Sequence, residues 1–418
     1  MSFDGTGNDI FNEIPYISLS YSNADSQTSA LRLILTLFPD WEHSDGKIEF
    51  IRFKDGITNT LLKAVKRRPG YTEEQIDKEA VLLRAYGNGT EVLIDREREA
   101  TSHSLLAQHN LAPQLLARFH NGLMYRFIRG HVSSSEDLTS EPVWRGVARR
   151  LGQWHATLPI LSAGKSAVIA DAGMEVPLKS SAPTPIASLE EINAITPSKP
   201  TPNVWTVMQK WVFALPTTNE AQVKRRKTLQ KELERTVADL GDKPGLGGNG
   251  LVFGHTDLLS GNVIVQPRSA LAGDSKIDTV AFIDYEYATP SPPAFDIANH
   301  FAEWGGFSCD FNVLPTRSVR RHFIEEYVSS YTSHTKLHPN IDYVSRLFEE
   351  VDAFRGAPGL YWGIWALIQA TISQIDFDYA SYAEIRLGEY WAWRAEENGS
   401  REREGKEKPL RERRWAEE

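Results

Sequence analysis

The chain has 418 residues, 41% of them hydrophobic and 24% charged, and a formal net charge of −9 at pH 7. That length predicts two lobes or domains rather than one small core, and the acidic balance excludes the basic footprint usual in nucleic-acid binders. A lone cysteine, Cys309, rules out an intramolecular disulfide framework and fits a reducing, cytoplasmic setting. No secretion signal and no run of 18 apolar residues are found, so stable membrane insertion is not expected.

Taken in order, residues 1–13 read as a disordered lead-in and Ile14–Tyr21 as a strand. Helical spacing of Ala30, Leu31, Leu33, Ile34, Leu37 and Phe38 predicts a helix over Asp25–Phe38, stopped by Pro39. Lys47–Lys54, Thr58–Arg67 and Ala80–Tyr86 are expected strands, with a tight turn at Asp55-Gly56 and a polar hairpin loop over Glu73–Lys78. A helix over Asp95–His109 precedes strands Ala112–Phe119 and Leu123–Ile128, joined at Asn121-Gly122, a strong hairpin signal. Residues 1–130 therefore form a small lobe, a largely antiparallel sheet with one helix inserted. Val143–Leu158 begins a helical large lobe running to residue 397, interrupted at 160–202 by a segment rich in Ala, Ser, Thr and Pro. The expected fold class is α+β. Residues 398–418, dominated by Arg, Glu and Lys, read as a solvated tail.

The chemistry concentrates between 251 and 304. LVFGHTDLLSGNVIV places His255, Asp257 and Asn262 around two short apolar runs, and TVAFIDYEYATP ends a strand at Asp284, with Glu286 two residues on. Asp257 can accept a proton from an attacking hydroxyl, with His255 bracing its loop. Asn262 and Asp284 offer oxygen ligands to Mg²⁺. An Asp capping a turn is the plainer meaning of either aspartate alone. HxD–x₄–N followed by D-Y-E is far more specific, and matches the catalytic and metal loops of a phosphotransferase. In the small lobe, backbone N–H groups near Gly56 and the side chains of Thr58 and Asn59 could meet phosphates. Arg84 interrupts a strand otherwise suited to burial and needs partners: phosphates, and an acid on the next helix, Glu99 or failing that Glu97. Near the C-terminus, Trp362 and Trp365 share a helix face, and Phe377, Tyr379 and Tyr382 follow. Core packing is the bland explanation. A cage for a cationic head group, with Glu303 and Asp376 adding charge, is the sharper one.

GHTDLLSGNVIV, FIDYEYATPSPPAFDIANHFAEW and YWGIWALIQATISQIDFDYASYAE resemble the choline/ethanolamine kinase family, with VLLRAYGNGTEVLIDRERE and LAPQLLARFHNGLMYRFIRG extending the likeness over roughly 45–395. YGNGTEVLIDRE is closer to the ethanolamine branch. The resemblance implies a protein-kinase-like two-lobed fold that uses Mg²⁺ and ATP. It implies phosphorylation of ethanolamine, or of choline, as the first step of phospholipid synthesis by the CDP-alcohol route. It assigns Asp257 as base, Asn262 and Asp284 to the metal, and Arg84, partnered by Glu99, to ATP. Tyr287, Glu303, Trp362, Trp365, Phe377 and Tyr382 are assigned to the amino alcohol. A homodimer is compatible with it. An aminoglycoside-type phosphotransferase or an inactive pseudokinase are the rivals. Departures from the family pattern fall at Asp55 (usually Gly), Gly254 (usually larger), Thr256 (commonly Asn), and Arg126 and Arg129 in the hinge.

Overall fold

A computed structural model describes residues 14–53, 59–87, 93–160, 187–268, 276–338, 341–373 and 375–418, Ile341 by its backbone alone. The lead-in at 1–13, the turn holding Asp55, Gly56 and Thr58, and residues 161–186 of the insertion lie outside these.

The first lobe is a six-stranded sheet. Its strands are β1 (Tyr16–Ile17), β2 (Lys47–Arg52), β3 (Asn59–Arg67), β4 (Val81–Tyr86), β5 (Leu115–Phe119) and β6 (Gly122–Arg126), in spatial order β1-β5-β6-β4-β3-β2. All neighbours are antiparallel except β1 and β5. Helix Ser26–Leu37 buries Ala30, Leu33 and Ile34 against Leu62, Ala64, Val81, Leu83 and Ala85. Side chains alternate along a strand. Three odd-numbered β4 residues face that helix, so Arg84 points to the opposite face, into the cleft. Helix Arg96–Gln108 buries Leu105 and Leu106 in the core of the second lobe, tying the two together.

The second lobe is mainly helical, including Glu141–Thr157, Val204–Ala214, Glu220–Leu240, Pro293–Ala302, Arg317–Ser333, Ile341–Phe354, Ala357–Ile372 and Tyr379–Glu397. Two small sheets carry the site. Val252–Gly254 pairs with Thr289–Ser291, and Val263–Val265 pairs with both Val280–Phe282 and His131–Val132. Gly254 is a matter of space: a Cβ there would lie 2.2 Å from the Ser291 hydroxyl. No helix among the described residues is long and apolar enough to cross a membrane.

Three expectations are corrected. Glu73–Glu79 is a helix, not a polar loop, because Thr72 and Gln75 form a reciprocal capping box and Ile76 is buried. Within the insertion, Leu189–Asn193 is helical, started by a second capping box at Ser188 and Glu191. The C-terminal segment is solvated only in part: residues 402–407 are exposed, but in helix Leu410–Ala416, Arg411, Glu412 and Trp415 are buried. Trp415 packs on Phe301 and under the Arg320 guanidinium, 3.9 Å from its ring centre, and Arg414 donates to the Leu314 carbonyl. Alternating charge reads as solvent-facing only while partners are unknown; here each buried charge finds one.

Candidate active site

A cavity of about 450 Å³ opens between the lobes. Asn59, Arg84, Asp257, Asn262, Asp284, Tyr287, Glu303, Trp362, Trp365 and Tyr382 all line it. Of the other predicted residues, His255 and Glu99 lie buried behind the lining. Phe377 sits half-exposed at the rim, its ring 5.6 Å from Tyr382 and 5.7 Å from Phe307, which does line the cavity. Asp376 is exposed and outside the lining.

The loop bearing Asp257 is braced from below. Thr256 is β-branched yet has φ of +58°, a region such residues rarely occupy. Three bonds hold it there. Its N–H donates to Asp296 (2.7 Å), its hydroxyl to the Tyr287 carbonyl (2.7 Å), and its carbonyl accepts from Asn299 (3.0 Å). The His255 N–H donates to the other Asp296 oxygen (2.8 Å), and its ring meets the Ile283 carbonyl (3.0 Å). His300 bonds the Leu258 carbonyl (2.7 Å) and accepts from Trp304; burial lowers it to about 4, so it stays neutral. Asp296, Asn299, His300 and Glu303 thus serve the site from one face of helix Pro293–Ala302 and the turn that continues it.

Asp296 also takes a bond from His155 (2.9 Å). Burial opposes its charge, but the His155 bond and charge, with the His255 contacts, hold its carboxyl below the usual range. Asp296→Asn must set an amide N–H₂ against a backbone N–H, whichever way it is turned. The variant is expected to lose about 1–3 kcal/mol, the cost of an unmatched buried donor. Urea denaturation checks this, and unchanged stability would remove Asp296 from its bracing role.

Asp257 itself is buried. Asn262 donates to its carbonyl (2.7 Å) and to Oδ2 (3.2 Å), while Oδ1 has no partner. Burial, then the charges of Asp284, Glu303 and Glu286, push its carboxyl well above the usual range. These are the properties of a proton acceptor awaiting a hydroxyl.

Arg84 is the hub of a buried cluster of charges. It meets Glu99 at 3.0 Å, Asp284 at 2.8 Å and Glu286 at 2.5 Å. Burial works against its charge, but Asp284, Glu99 and Glu286 outweigh burial and keep the guanidinium firmly charged. Arg96 joins Glu99 (2.9 Å) to Glu286 (3.1 Å), and Asn59 donates to Glu286 at 3.4 Å. Burial, then Asp284, raises Glu286 to about 7. The partner of Arg84 is Glu99; Glu97 is exposed.

The residues present fit a divalent cation. The Asn262 amide spends its N–H₂ on Asp257, leaving its oxygen for the cavity, and Asp284 stands at φ +64° at the cavity wall. No group of three or more His, Cys, Asp or Glu suited to a metal exists among the described residues. Two protein oxygens completed by phosphate and water are what Mg²⁺ accepts.

At the far end the aromatic rings stand nearly perpendicular. Trp362 and Trp365 are 5.4 Å apart at 89°, and Tyr287 and Trp362 are 5.9 Å apart at 76°. Hydrogen bonds fix both indoles: Trp365 to the Tyr287 hydroxyl and Trp362 to Asn299, each 2.8 Å. Glu303 closes the box and is ion-paired with Arg386 at 3.0 Å. Arg126 and Arg129 turn away from the cavity: Arg126 donates to the Glu79 carbonyl and Arg129 pairs with Glu74. The sequence pattern gives Glu286 no role, whereas the fold sets it against Arg84. Arg96, Asp296, Asn299, His300, Phe307 and Arg386 were missed. The spacing of 296, 299, 300 and 303 was a usable signal; Arg386 offered none.

Comparison with known proteins agrees with this geometry. Residues 50–391 match the model of the Choline/ethanolamine kinase family. The chain is 30% identical to ethanolamine kinase 1 of Mus musculus, covering 92% of this chain and 94% of that one. It is 31% identical to ethanolamine kinase 2 of the same species, covering 90% and 84%. Among solved structures, an ethanolamine kinase from Plasmodium vivax superposes with a TM-score of 0.61 at 23% identity, covering 87% of this chain and 88% of that one. A choline kinase from Cryptosporidium parvum superposes with a TM-score of 0.59 at 20% identity, covering 89% and 97%. With the match running through both lobes and the whole cavity wall, this chain belongs to the choline/ethanolamine kinase family.

Proposed function

We propose that the chain transfers the γ-phosphoryl group of ATP to the hydroxyl of ethanolamine, the entry step to phosphatidylethanolamine. The observation that carries this is one cavity with two chemical ends. Asp257, with an unpartnered oxygen, stands between the oxygens of Asn262 and Asp284 on one side and the Trp362–Trp365–Tyr287 box with Glu303 on the other. An amino alcohol has only an ammonium and a hydroxyl to grip. The rings hold the cation by its attraction to their faces, worth about 0.5–2 kcal/mol each. Glu303 and the Tyr287 oxygen offer acceptors for N–H donors, which a primary ammonium has and a quaternary one lacks. Asp257 then receives the hydroxyl proton while the hydroxyl oxygen attacks the γ-phosphorus, and the bond from that phosphorus to the bridging oxygen breaks, releasing ADP. Mg²⁺ bound through Asn262 and Asp284 would neutralise charge on the phosphoryl oxygens. Arg84 lies within reach of the same region, and positioning with electrostatics supplies most of the rate. A cytoplasmic setting belongs to this proposal, supported by the single buried Cys309.

A coupled ADP-release assay with ethanolamine, choline and no acceptor tests it. Ethanolamine-dependent release with a higher kcat/KM than choline is expected. Equal or better use of choline would reverse the substrate preference, and release with neither would overturn the assignment.

A further inference from the structure

Glu303, at the ammonium end of the cavity, does not stand alone. Behind it runs a buried series of alternating charges. Glu303 meets Arg386 at 3.0 Å; Arg386 meets Glu389 at 3.3 Å; Glu389 meets Arg411 at 2.9 Å; Arg411 meets Glu412 at 3.1 Å. Each of these side chains is no more than 6% exposed. The series leaves the site through helix Tyr379–Glu397 and reaches helix Leu410–Ala416, beyond the residues 50–391 that match the family, where Glu412 also pairs with Arg355 at 3.0 Å.

Arg386 is shared. Glu303 and Glu389 both draw on it, and Glu389 is satisfied only because Arg411 supplies a second cation. Buried charges cannot be left uncompensated. Without Arg411, Glu389 would claim Arg386 for itself, and Glu303 would lose the contact that fixes its carboxylate against the substrate ammonium. We propose that Arg411, carried by the C-terminal helix, is a positioning residue for the amino-alcohol pocket, acting through Glu389 and Arg386 on Glu303. The inference rests on the assignment of Glu303 to the ammonium. The phosphate end is served by a separate set of charges centred on Arg84, so the effect belongs to one substrate alone.

The test is steady-state kinetics on the full chain with Arg411→Met and Arg411→Lys, each checked for folding by its thermal transition. Arg411→Met is expected to raise the KM for the amino alcohol about tenfold, within the ~5–150-fold range of coupling between sites, while the KM for ATP and kcat stay close to wild type. Arg411→Lys keeps the charge but not the fork that spans Glu389 and Glu412, so it is expected to fall between, at about threefold. Should Arg411→Met fail to fold, the lysine variant decides. An unchanged amino-alcohol KM in the folded variants, or equal rises for both substrates, overturns the positioning role and leaves the kinase assignment standing. A wild-type protein that turns over neither ethanolamine nor choline overturns both.

Discussion

Asp257→Asn is expected to cost turnover and add stability. Loss of a general base lowers kcat by about 10²–10⁴-fold, while nucleotide binding, which does not use this oxygen, persists. Stability moves the other way because the wild-type carboxyl is raised by burial and by Asp284, Glu303 and Glu286. A raised carboxyl keeps its proton in the folded chain at a pH where the unfolded chain has released it, so wild-type stability falls as pH climbs past the unfolded value of about 3.9. Asparagine escapes that penalty. The ligand-free variant should therefore melt above the wild type at neutral pH and level with it below about pH 3.9. Turnover and melting temperature across pH check both halves. Undiminished turnover would remove Asp257 as the base, and a lower melting temperature at neutral pH would show that its burial is not costly.

Arg84→Met is expected to be the most destabilising single change at the site. It removes the cation between Glu99, Asp284 and Glu286 and leaves Arg96 to serve two of them. Breaking a buried ion pair from one side costs about 3–5 kcal/mol. The sign with pH follows from Glu286, which is already raised to about 7 with Arg84 in place. Taking the cation away raises it further, so the deficit should grow as pH rises through and above that value and shrink in acid, where Glu286 takes a proton. Urea titrations at pH 5 and pH 8 measure this. A deficit under about 1 kcal/mol, the scale of an exposed pair, or one that does not change with pH, would contradict the hub.

What the sequence disclosed here tracks the range of the interaction. Asp257 and Asn262 lie five residues apart on one loop, and Trp362 and Trp365 one helical turn apart, so local spacing exposed both ends of the cavity. The T-E-E-Q run at 72–75 carried its helix start in plain view, although it reads as a hairpin loop when polarity alone is weighed. Asp296, Asn299 and His300 were legible as a polar stripe on a helix, but a stripe facing water and one facing a loop look alike until the loop is placed. Arg386 and Arg411 were beyond reach. Each has one partner in a distant part of the chain, Glu303 for Arg386 and Glu389 for Arg411, and dense Arg and Glu signals solvent unless tertiary contacts bury it. The two glycine-related departures divide likewise. Gly254 is explained by the nearness of Ser291, which only strand pairing reveals; Asp55 lies outside the described residues.

The left-handed Thr256 carries a consequence for how the Asp257 loop keeps its shape. A β-branched residue at that φ costs of order 1–3 kcal/mol, and the cost is met by groups outside the loop: Asp296 and Asn299 on one helix, and the Tyr287 carbonyl beyond the second strand pair. All of them lie within residues 256–299, so the left-handed turn depends on helix Pro293–Ala302 being docked beneath it. Loss of either the Asp296 or the Asn299 side chain leaves the strain uncompensated, and the loop carrying Asp257 is then expected to relax toward the backbone region that β-branched residues prefer.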